Sequence, residues 1–146
     1  MDGIFTKNRI EIEIFYVLRK DKIGNTYPKV IEAEEATKLL ADEKTKNNVH
    51  SFKTVWKQPS WSSQNQVLNQ STVFNHFKNE NEIDPFKYRD ARLKNYLVSW
   101  NVKDENGNDV ALTSEAIDQL HQNIALALLD KYDSLTTMNM EEQEKN

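Results

Sequence analysis

Three histidines, His50, His76 and His121, are the first side chains to weigh, because imidazole can ligate a metal or carry a proton near neutral pH. They stand 26 and 45 residues apart, on different expected elements. No pair has the HExxH spacing that sets two ligands on one helix face, so no metal site is expected. Cysteine is absent, which removes disulfides, thiol nucleophiles and Cys-based zinc sites. Ser60, Ser62, Ser63 and Ser71 sit in polar context without a GxSxG elbow. The three glycines, Gly3, Gly24 and Gly107, are too far apart to build a phosphate cradle. Asp104, Asn106, Asn108 and Glu115 match positions 1, 3, 5 and 12 of a calcium loop. Asp109 stands where that loop needs Gly, however, and Leu112 offers no oxygen at position 9. No catalytic residue and no cofactor is expected, and the chain is read as a non-enzyme.

The aromatic residues carry more information. VWKQPSW places Trp56 and Trp61 on either side of Pro59, with Lys53 and Lys57 interleaved. Such a pattern can stack on bases. It also suits a buried sheet, since each Trp removes about 150–250 Å² from water, up to roughly 4–6 kcal/mol. Burial or protein contact is the favoured use. Trp56, Trp61, Tyr96 and Trp100 are the candidate partner-binding residues, with a core role the competing reading for each.

These residues need elements to hold them. IEIEIFYVL alternates Ile10, Ile12, Ile14, Tyr16 and Leu18 against Glu11 and Glu13, which predicts a strand with one apolar face. Gly24-Asn25 predicts a two-residue hairpin turn, with a return strand near 27–31. Pro28 makes that an edge strand. EAEEATKLLADEK reads as a helix with Ala33, Ala36, Leu39 and Leu40 in its stripe, ended by Asn47-Asn48. Phe52, Thr54 and Trp56 predict a third strand. Ser60 is placed as the N-cap of a helix over 61–74, and 75–83 as a polar connection. Asp84-Pro85 starts a helix whose stripe is Phe86, Leu93, Tyr96, Leu97 and Trp100; loss of the Asp84 cap should cost about 1 kcal/mol. Asn106-Gly107, flanked by Val102 and Val110, predicts a type I′ turn. Thr113 or Ser114 then caps a stretch with Ile117, Leu120, Ile124, Leu128, Tyr132 and Leu135 in its stripe, as one helix or as two broken near His121.

The expected fold is therefore α+β. A small N-terminal antiparallel sheet, a hairpin plus one strand with a helix, occupies 10–57, and a mainly helical part follows over 60–135. Residues 1–135 are read as one domain and 136–146 as a disordered tail. At 146 residues and with 10% aromatics, the chain can bury a real core. No apolar run approaches a membrane span, and the N-terminus lacks the order of a signal peptide. The net charge of -4 is uneven: residues 1–59 carry +2, 60–101 carry +1 and 102–146 carry -7. That acidic third argues against general nucleic-acid binding and reads as a solubilising surface, or as a docking surface for a basic partner.

Two stretches, VWKQPSWSSQNQVLNQSTVFN at 55–75 and 84–133 with its LVSW, DENG, LTSE and LLDKY segments, carry a resemblance. The pattern resembles tailed-bacteriophage tail assembly chaperones and related minor virion proteins. That resemblance implies a non-enzymatic viral protein of the host cytoplasm, with tape-measure and tail-tube proteins as partners. The alternatives are a permanent virion component, such as a baseplate or connector subunit, and a small phage nucleic-acid binder or enzyme.

Overall fold

The computed structural model describes Ile4 and residues 6–136; except for Thr136, the tail expected at 136–146 lies outside them. The chain is α+β. Its strands are β1 (Ile10–Lys20), β2 (Thr26–Ile31), β3 (Val49–Trp56), β4 (Thr72–Asn75), β5 (Glu80–Ile83) and β6 (Leu97–Trp100). Its helices are α1 (Ala33–Ala41), α2 (Trp61–Ser71), α3 (Pro85–Tyr96), α4 (Ser114–Asp118) and α5 (Gln122–Lys145). Four strands form an antiparallel sheet in the order β2-β1-β3-β6, and β4-β5 form a separate hairpin. The expected edge position of the Pro28 strand is met. The chain divides into two compact units, Met1–Glu11 with Val55–Ser99, and Ile12–Thr54 with Trp100–Asn146. The span 1–135, read above as one domain, thus holds parts of both.

In the Ile12–Thr54/Trp100–Asn146 unit, β1 and β2 pair from Phe15↔Ile31 to Lys20↔Thr26. The turn is longer than expected. Asp21 N–H bonds to Asn25 O at 2.9 Å and Gly24 N–H to Asp21 O at 3.1 Å, leaving three loop residues. Only Gly24 has positive φ, +88°, whereas a type I′ turn needs two such residues. The cause is Asp21, whose Oδ1 accepts the Ile23 and Asn25 N–H groups at 3.0 and 2.9 Å and stabilises the wider loop. Asp104 repeats this arrangement: its Oδ1 accepts from Asn106 and Asn108 at 2.8 and 2.9 Å, and Gly107 has φ +81°. The type I′ expectation fails there for the same reason.

The strand β1 is buried on both faces rather than one. Val17 joins Ile31 and Ala36 in a cluster with Phe15, Leu39 and Val49, while Ile12 and Ile14 on the alternate face are also buried. The helix α1 stops at Ala41, before Asn47-Asn48. Asp42 N–H and Thr45 Oγ1 both turn back to Leu39 O, at 3.4 and 2.6 Å, and close the end. The last helical stretch is two helices. Thr113 caps α4 by accepting from Ala116 N–H at 3.1 Å, and His121 Nδ1 accepts from Asn123 N–H at the start of α5. Asn123 Nδ2 donates to Pro28 O at 3.1 Å and Lys131 Nζ to Glu13 O at 3.3 Å, fastening α5 to the strands. Ile124, Leu128, Leu129 and Tyr132 are buried, while Leu135 of the expected stripe is exposed.

The Met1–Glu11/Val55–Ser99 unit is a helix–hairpin–helix. Ser60 and Ser63 form a reciprocal cap at the start of α2, at 2.9 and 3.1 Å. Asp84 Oδ1 accepts from Phe86 and Lys87 N–H at 2.8 and 3.1 Å with Pro85 first in α3, as the Asp-Pro pair predicts. Asp84 N–H also donates to Ser71 O at 2.9 Å, which ties the start of α3 to the end of α2. Two expectations change here. The segment 75–83, read as a connection, supplies Asn75 of β4 and the whole of β5; its turn is held by Asn75 Oδ1 on the Phe77 and Lys78 N–H groups, with Asn79 at φ +52°. Leu97 and Trp100, read as the end of a helical stripe, lie instead on β6. There Tyr96 O accepts from Lys57 N–H at 2.7 Å.

Candidate functional site: exposed aromatic residues of the helix–hairpin–helix

The capping of α2 decides where Trp61 goes. As the first helical residue after Ser60 it precedes the buried positions Val67 and Ser71, and its ring is 86% exposed. Trp56 and Tyr96 lie elsewhere: their exposures are 0% and 1%, and the Tyr96 hydroxyl donates to Gln64 Oε1 at 2.6 Å. Trp100 is half-buried, with Nε1 donating to Val110 O at 2.7 Å. The four candidate contact residues thus differ in exposure. Trp56 and Tyr96 are packed inside, Trp100 is anchored by its indole, and Trp61 alone presents a largely free ring.

Trp61 is not the only large apolar side chain in solvent on its unit. Phe74, Phe77, Ile83 and Phe86 are all exposed. Strand register opposes Thr72 to Ile83 and Phe74 to Asn81, so Phe74 and Ile83 share one hairpin face. Phe77 occupies the hairpin turn, and Phe86 opens α3 with the Arg89 guanidinium 5.2 Å from its ring centre. Phe86 was expected in the buried stripe. It points outward because the buried side of α3 is set by Ala91, Leu93 and Tyr96. The signal available in the sequence was a Phe inside NHFKNE, a segment too polar to bury it.

Alongside Phe86 runs a groove of about 430 Å³ lined by Gln70, Phe86, Lys87, Asp90, Ala91 and Lys94. Asn95 donates to Gln70 Oε1 at 2.8 Å and to Ala91 O at 2.6 Å, which ties the Gln70 side chain to α3. Lys94 pairs with Asp90 at 3.1 Å.

Each histidine has its own neighbour. His50 stacks on Tyr16 with ring centres 5.3 Å apart, His76 meets Phe74 edge-on at 4.8 Å, and His121 caps α5. Among the described residues no group of three His, Cys, Asp or Glu side chains could hold a metal. The Asp104 carboxylate is engaged by the amides of its own turn. Burial raises the Tyr16 hydroxyl pKa above 10.0; burial also raises that of Tyr96, against a lowering hydrogen bond from Ser63. Among the described residues no helix is long and apolar enough to cross a membrane.

Compared with protein-family models, with curated proteins and with solved structures, the chain matches none.

Proposed function

We propose that this protein is a non-enzymatic assembly factor of a tailed bacteriophage, acting in the host cytoplasm by holding tape-measure or tail-tube polypeptides before the tube polymerises. The observation that carries the proposal is the set of large apolar side chains in solvent on one small unit: Trp61, Phe74, Phe77, Ile83 and Phe86. Phe and Trp are enriched where protein surfaces meet, and four of these five side chains are of those types. The resemblance of residues 55–75 and 84–133 to tail assembly chaperones supports the same reading. The acidic remainder of the chain would keep such a complex soluble.

Co-expression with the neighbouring tail genes and affinity capture tests the proposal. Recovery of a tape-measure or tail-tube protein is expected, and recovery of neither overturns it. Mass spectrometry of purified particles separates the two structural roles. An assembly factor should be absent from the particle; stoichiometric retention would make the protein a virion subunit instead.

A further inference from the structure

We infer that the groove along α3 is a docking site for an acidic amphipathic helix, with Phe86 as its apolar anchor and Lys87 and Arg89 as its charge partners. The inference rests on the reading of this protein as a polypeptide binder and assigns that function a place and a partner chemistry. Phe86, Asp90 and Lys94 recur at i, i+4 and i+8, with Lys87 and Ala91 beside them, so the groove follows the helix for about two turns, roughly 12 Å. The buried Ala91 lies at its base, and Gln70 on α2 lines it from the neighbouring helix. A channel between two helices is the surface into which a third helix packs its side-chain ridge.

Charge selects the occupant. The acids of this unit are largely engaged: Asp90 with Lys94, Glu82 with Asn75 and Lys78, and Asp84 with the first amides of α3. Lys87 and Arg89 have no carboxylate partner among the described residues, and Arg89 lies over the Phe86 ring itself. The exposed aromatic anchor is thus flanked by uncompensated positive charge. A helix carrying Glu beside its apolar stripe satisfies both features at once, and a basic helix would be repelled. Phe86, 71% exposed, supplies the large rigid ring that binding hot spots favour.

The test uses the full-length protein and two synthetic helical peptides of roughly 18 residues, five turns. Both carry the same Leu/Phe stripe, one flanked by Glu and the other by Lys. Backbone amide NMR titration should show the Glu peptide shifting Gln70, Phe86, Lys87 and Ala91, with affinity about tenfold above the Lys peptide and falling with added salt. Phe86→Ala should weaken the Glu peptide by about tenfold, and Lys87→Glu with Arg89→Glu should reverse the preference. All three substitutions are on exposed side chains, and the same spectra report that the fold persists. Equal affinity for the two peptides, no binding of the Glu peptide, or shifts confined to other residues would overturn the site. Because no phage protein enters the assay, a positive result alongside a failed co-expression would sink the tail-assembly reading and leave the site standing.

Discussion

Two tryptophans five residues apart in the sequence meet opposite fates, and the difference is measurable. Trp56 is fully buried, so Trp56→Ala leaves a large cavity and should cost about 3–5 kcal/mol in urea denaturation. Trp61 is in solvent, so Trp61→Ala should change stability by no more than about 0.5 kcal/mol while weakening partner capture. Equal stability losses in the two variants would contradict the burial assignments. Tyr96 offers a pH test. Burial raises its pKa above the ordinary 10.0, so the folded state favours the neutral phenol. Its contribution is full below pH 10.0 and is lost as pH rises through the higher folded value. Tyr96→Phe gives up the hydrogen bond to Gln64, about 1 kcal/mol at neutral pH. The variant should then lose stability less steeply than the parent above pH 10.0, read as denaturation midpoint against pH.

At the scale of elements, two turns share one sequence rule, Asp-x-x-Gly-Asn, at Asp21–Asn25 and Asp104–Asn108. Each uses the Asp carboxylate on two amides and a glycine at positive φ. Open space surrounds the missing Cβ at Gly24 and Gly107, so only backbone strain opposes substitution. Gly24→Ala and Gly107→Ala should each cost about 1–2 kcal/mol in thermal or chemical denaturation. The presence of both turns was legible in the sequence and their type was not, because a Gly-Asn or Asn-Gly pair does not reveal what the Asp three residues ahead of the Gly is bonded to. The capped helices were legible for a local reason: Ser60, Asp84 and Thr113 act on amides within three residues. The strand β6 was not, since its hydrogen-bonding partners lie far away in sequence and a four-residue apolar run fits either period. The hairpin β4-β5 escaped because Glu80, Asn81 and Glu82 carry no apolar alternation. That omission also hid the exposed aromatic residues. A search for buried stripes assigns Phe86 to the core and passes over Phe77, whereas burial is decided by which face of α3 and of the hairpin is covered.

At the scale of the molecule, formal charge follows the compact units. The Met1–Glu11/Val55–Ser99 unit sums to +2 and the Ile12–Thr54/Trp100–Asn146 unit to -6. The exposed aromatic residues of the helix–hairpin–helix therefore belong to the less acidic part, and most of the net charge that resists self-association is carried by residues outside it. With a sequence pI of about 5.4, the protein should be least soluble just below pH 6. Glu105, Glu115 and Asp130 are exposed, so their amide replacements change charge with little effect on packing. The triple variant Glu105→Gln, Glu115→Gln, Asp130→Asn moves the net charge from -4 to -1. If the acidic third acts as a solubilising surface, the polyethylene glycol concentration that precipitates the protein at pH 7 should fall, while circular dichroism and capture of the tail polypeptide stay as in the parent. Unchanged solubility with capture abolished would mean that these carboxylates themselves dock a basic partner. The working contact surface would then be the acidic one rather than the aromatic helix–hairpin–helix.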